Sequence, residues 1–171
     1  LTAPDTTAPT VSNLQVIDST ENFLFFQGYD PASGLELYRT DGTVEGTLLL
    51  KDIHPGSEDG YSGAPVMAGN ELFFSGDDGT HGRELWKTDG TTAGTMMIEN
   101  VNPGSADGFT GPSGMVVTGD IFFSANDGVH GSELWKSDGT ADGTTHLMDI
   151  PANFVWHAVV VGDELYFTVN S

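Results

Sequence analysis

The stretch Gly82-Arg83-Glu84-Leu85-Trp86-Lys87-Thr88-Asp89-Gly90-Thr91-Thr92-Ala93-Gly94-Thr95 decides how the chain is read. Its first half has strand character, and its second half is a Gly/Asp/Thr segment that supplies the positive φ a tight hairpin needs. The same pattern returns at Gly131 to Thr144, as Gly-Ser-Glu-Leu-Trp-Lys-Ser-Asp-Gly-Thr-Ala-Asp-Gly-Thr. A looser copy lies upstream, with Glu36, Tyr38, Asp41, Gly42 and Thr43 in register and Tyr38 in place of the Trp. Thirteen residues before each aromatic stands the first member of a Phe pair, Phe25-Phe26, Phe73-Phe74 or Phe122-Phe123, so the offsets are 48 and 49 residues. A fourth, looser pair, Tyr166-Phe167, follows 44 residues after the third. A period of this size means a solenoid, a propeller or an array.

Local patterns choose among these. The second copy has four short runs of strand character, over 64–68, 71–75, 84–88 and 95–99, and most are parted by Gly/Asp-rich segments. No stretch of ten residues or more shows a helical period. Four antiparallel strands in about 48 residues make a propeller blade, whereas leucine-rich and hexapeptide solenoids use much shorter periods and fewer strands per turn. The expected fold is therefore all-β, a β-propeller-like array of four-stranded antiparallel blades. The boundaries read as a Thr/Pro-rich linker at 1–10, blade 1 at 11–58, blade 2 at 59–107, blade 3 at 108–153 and a partial blade 4 at 154–171. Three and a half blades fall short of the four or more of a closed propeller, so further blades or another copy of the chain are the expected partners. Both ends look cut: the chain begins at Leu1 in a Thr/Ala/Pro-rich run and stops straight after a strand-like segment.

The motif at Gly82 to Thr95, and that at Gly131 to Thr144, resembles the ELWxxDGT repeat family of bacterial exported proteins. The resemblance implies tandem copies, a propeller-like β fold and a secreted or surface-attached protein, and it carries no catalytic residues. Tyr38 departs from it in the first copy, and the fourth copy ends before the motif.

Each recurring residue has a structural and a functional reading. Tyr38, Trp86 and Trp135 are expected in the blade core, where burial of such side chains contributes roughly 2–3 kcal/mol each, rather than as platforms for sugar rings. Asp41, Asp89 and Asp138 precede Gly in a hairpin and are expected to fix the turn by accepting backbone N–H groups. Asp30, Asp78 and Asp127 align upstream, joined by Asp77 and Asn126, and such oxygen-rich loops suit Ca²⁺. Their spacing is not that of an EF-hand, and a turn-fixing acidic loop is the alternative. Glu36, Glu84 and Glu133 either add to that chemistry or bond to backbone. Of five His residues only His81 and His130 recur, one per blade, and no His-Glu-x-x-His occurs, so zinc is not favoured.

Charge and composition exclude more. The formal net charge is −20, from 25 acidic and 5 scattered basic residues, which argues against nucleic acid and anionic membranes as partners. No apolar run approaches the roughly 18 residues of a membrane span. There is no Cys, hence no disulfide, thiolate ligand or cysteine nucleophile. Catalysis needs different groups converging at one place, whereas here the polar residues repeat, and no Gly-x-Ser-x-Gly elbow is present. The expected function is a non-catalytic scaffold or adhesive module. A Ca²⁺-dependent module recognising carbohydrate or protein is the alternative, and a two-carboxylate glycosidase a lesser one.

Overall fold

Adjacent residues of a strand point to opposite faces, so a Phe pair can be buried only if both faces of its sheet are covered. The computed structural model describes residues 11–111, 116–117, 119–149, 155–161 and 164–169, and meets this demand by stacking sheets. The first sheet contains β1 (Ser12–Ser19), β2 (Leu24–Asp30), β3 (Gly34–Thr40) and β4 (Leu48–Leu49). The second contains β5 (Tyr61–Ala68), β6 (Glu71–Asp77), β7 (Arg83–Thr88) and β8 (Met96–Glu99). The third contains β9 (Val116–Val117), β10 (Ile121–Asn126), β11 (Ser132–Ser137) and β12 (Thr145–Asp149). A hairpin of β13 (Val155–Val161) and β14 (Glu164–Val169) follows. Every sheet is antiparallel with its strands in chain order, and there is no helix among the described residues. The linker expected at 1–10 lies outside the described residues.

Two cores lie between the sheets. Phe25, Leu37, Leu50 and Ile53 of the first copy meet Tyr61, Leu72, Phe74 and Trp86 of the second. The corresponding Phe73, Leu85, Ile98 and Val101 meet Phe109, Ile121, Phe123 and Ala125 of the third. Phe25 and Phe73, first in their pairs, thus face the following sheet, and Phe74 and Phe123, second in theirs, face the preceding one. Phe26 stacks on Tyr38 at 5.5 Å between ring centroids.

The opening strand of the second sheet starts three residues earlier than the sequence suggests, at Tyr61 rather than Ala64. Two register shifts explain it: Gly63 at φ 101° and Ala64 at φ 52° let the chain bulge and keep pairing with β6. Among the exposed apolar side chains are Leu14 and Val16 on the outermost strand β1 and Leu147 and Met148 on the outermost strand β12.

Candidate functional site

The hairpin turn after each aromatic motif is one hydrogen-bonded unit, repeated three times. In the second copy Asp89 Oδ1 accepts the Thr91 N–H (2.8 Å) and hydroxyl (2.7 Å), and Thr91 Oγ1 accepts the Gly94 N–H (2.9 Å). The Thr95 hydroxyl then donates to the Thr91 carbonyl and meets Thr88 Oγ1, both at 2.7 Å. Asp41 and Asp138 make the same bonds to Thr43 and Thr140. The Thr hydroxyl, followed by the Thr N–H, holds each of these three carboxyls below the usual carboxylate range. Gly94 is needed for close approach: a Cβ there would overlap the Asp89 carboxylate. All three Asp side chains are thus bound to their own turns.

The recurring Glu does something different. Glu36 and Glu84 are fully buried, and their carboxylates hold the connection that runs to the next sheet. Glu36 Oε1 accepts the N–H groups of Ile53 (3.1 Å) and His54 (3.3 Å); Glu84 accepts those of Val101 (3.2 Å) and Asn102 (3.3 Å). Gly60 and Gly108 close the same latch, since a Cβ on either would overlap the carboxylate. Further on, Asp59 Oδ1 accepts the Leu35 N–H (2.8 Å) and Asp107 Oδ1 that of Arg83 (2.9 Å). The Arg83 guanidinium adds an ion pair to Asp107 at 2.6 Å.

Burial pushes the Glu36 carboxyl from 4.5 up to about 8, against the His54 and Ile53 N–H groups, which lower it, and with Asp52 raising it further. Glu84 is pushed up to about 7, again by burial. A carboxyl whose folded value is raised binds its proton in the folded state where the unfolded chain has released it. Its contribution to stability is full below about 4.5 and is lost as pH rises through 8. The melting temperature is therefore expected to fall between pH 5 and 8, and Glu36→Gln to flatten that fall. Glu36 suits the amide because Oε1 takes both N–H groups while Oε2 has no partner. Thermal melts across this range check the sign; a wild-type melting temperature that rises from pH 5 to 8 overturns it.

The loop residues considered for Ca²⁺ sit at turns. Asp30 Oδ1 accepts the Ala32 N–H, Asp77 Oδ1 that of Gly79, and Asn126 Oδ1 that of Gly128, each at 2.8 Å. Asp78 caps Thr80 and His81 and pairs with the His81 imidazole at 2.7 Å; Asp127 does the same with Val129 and His130, at 2.8 Å to the ring. Among the described residues, Asp30, Asp77 and Asp78 belong to no cluster of three close metal-ligating groups, whereas Asp127 does, with His130 and Glu133. A second cluster joins Glu133 to His146 and Asp149. Residue-by-residue reading of the repeat overlooked it because His146 does not recur and Asp149 is matched only by Asp52 of the first copy. The signal was the break itself, since His146 stands where Leu49 and Met97 stand.

Of the three aromatics, Tyr38 and Trp86 are buried, at 2% and 4% exposure, and Trp135 is half-buried. Trp86 lies over Gly76, where a Cβ would come within 3.0 Å of its ring. Trp135 instead donates its indole N–H to Glu133 Oε2 (2.9 Å) and tilts against His146.

No family model matches the chain, and no curated protein matches it in sequence. Among solved structures, the crystal structure of TolB from Acinetobacter baumannii is similar over 85% of this chain and 34% of that one, with 13% identity and a TM-score of 0.47. The chain thus spans about a third of the length of that protein.

Proposed function

We propose that the chain is a non-catalytic module of β-propeller-like repeats, acting as a scaffold or adhesive platform in a secreted or cell-surface protein. One observation carries this reading: the turn Asp of every copy, and the buried Glu of the first two, hold the chain's own backbone. The Asp and Thr of each turn bond within that turn, and Glu36 and Glu84 grip the connections between sheets. Groups fixed in this way keep a repeat in shape and are not free to act on a substrate. The resemblance to ELWxxDGT repeats supports the surface location, and the acidic surface suits an extracellular module that stays clear of anionic polymers.

The partners in this reading are further blades or a second copy of the chain. Leu14 and Val16, 61% and 64% exposed on the edge strand β1, are the apolar surface such a partner would cover. Light scattering is expected to show concentration-dependent association that Leu14→Lys with Val16→Lys abolishes. A folded chain that stays monomeric throughout its soluble range overturns the partner assignment, and turnover on a glycan panel overturns the non-catalytic one.

A further inference from the structure

At His146 the third copy departs from the other two, and the departure completes a group of metal-ligating atoms around a buried carboxylate. Strand β12 pairs with β11 through a register shift, so that Asp149 lies opposite Glu133 and His146 opposite Trp135. The bulge brings residues three apart in sequence to the face that Glu133 and Trp135 share. In the second copy the residue equivalent to Asp149 is Asn100, whose amide nitrogen, turned toward its acceptors, lies 3.3 Å from Glu84 Oε1. The equivalent of His146 is Met97 there and Leu49 in the first copy. Glu133 is 1% exposed like its counterparts, and where the second copy has Met97 and Asn100 beside its Glu, an imidazole and a carboxylate stand here.

The distances suit a small cation. His146 Nε2 lies 3.8 Å from Glu133 Oε1 and 3.2 Å from Asp149 Oδ1, and the three ligand atoms are all within 4.8 Å of one another. Ligands about 2.0–2.2 Å from a tetrahedral Zn²⁺ stand about 3.3–3.5 Å from each other, so small side-chain adjustments close the set. Two carboxylates would neutralise a divalent ion, and the imidazole nitrogen favours a borderline metal over Ca²⁺. Trp135 Nε1 holds Glu133 Oε2 and thereby aims Oε1 at the cluster, as outer partners of metal ligands do. His130 Nδ1 also lies 3.4 Å from Oε1 and is held by Asp127. His146 and Asp149 are both open to solvent, which gives an ion its entry path.

We infer that Glu133, His146 and Asp149 form a binding site for a borderline divalent metal ion of the Zn²⁺ type, with its remaining position open to water. The inference is independent of the scaffold reading. Zn²⁺ alone, titrated calorimetrically into the full chain after dialysis against a chelator, is expected to bind saturably at one site per chain. His146→Leu and Asp149→Asn install the residues of the sibling copies at positions 49 and 100, so both are expected to fold, which melting curves verify. Each should weaken Zn²⁺ at least about tenfold, while His81→Ala, at the matching loop of the second copy, leaves it unchanged. Co²⁺ bound to the wild type should show the intense visible bands of four-coordinate geometry, absent in His146→Leu. No saturable Zn²⁺ uptake by the wild type, unchanged affinity in His146→Leu, or an equal loss in His81→Ala overturns the site.

Discussion

Replacing Trp86 with alanine is expected to destabilise the protein by about 3–5 kcal/mol, and the same change at Trp135 by less than about 2 kcal/mol. The two residues occupy the same position of the same motif, so a sequence argument alone assigns them equal effects. Packing separates them. Trp86 is enclosed by the core that Phe25, Leu37 and Leu50 form with Leu72 and Phe74, lies over Gly76, and has Lys51 Nζ at 5.3 Å from its ring centre. Truncation there leaves a cavity that a stacked pair of sheets cannot collapse to fill. Trp135 has one face against the second core and a tilted contact to His146 at 5.8 Å, so solvent can occupy part of the space it vacates. For a domain of this size each kcal/mol moves the melting temperature by about 2–4 °C, so Trp86→Ala should lower it by about 6–20 °C. Equal losses in the two variants, measured by denaturant or thermal unfolding, would refute an effect set by burial.

Glu84→Ala is expected to cost about 2–5 kcal/mol, because it leaves the Val101 and Asn102 N–H groups without their acceptor in a buried place. The loss should be local in origin. Amide exchange at Val101 and Asn102 is expected to rise before that of the strands, since the connection is released while the β6–β7 ladder is untouched. Gly108→Ala attacks the same latch from the other side by driving a methyl group into the carboxylate, and should produce the same exchange pattern. If Glu84→Ala melts as the wild type does and its exchange is unaltered, the carboxylate is not what holds the connection.

The repeat and its strands were legible because they depend on residues that recur at fixed spacing. Phe73 and Phe74 announce a sheet covered on both faces, and Asp89-Gly90 announces a hairpin. The turn chemistry was legible too, since a carboxylate two residues before a Thr N–H has few other partners within reach. The partner of Glu84 was not, because Val101, Asn102 and Gly108 lie 17 to 24 residues away and contribute backbone groups, which leave no residue-type signature. The cluster at Glu133 escaped for a second reason: attention to what recurs passes over what does not. Its members are united by a strand register that includes a bulge, and spacing in sequence does not reveal a bulge.

The two cores are built from matching positions, which has a consequence for how such a chain can change length. The surface that the second sheet offers forward is chemically the one that the first sheet offers forward, and the surface it offers backward matches that of the third. A segment of one period, cut within the connections, is therefore compatible with itself. Duplicating or deleting a whole period by unequal recombination regenerates contacts that already exist, whereas a gain or loss of any other size breaks the register of Glu84 with its loop. Inheritance in this architecture favours steps of whole sheets.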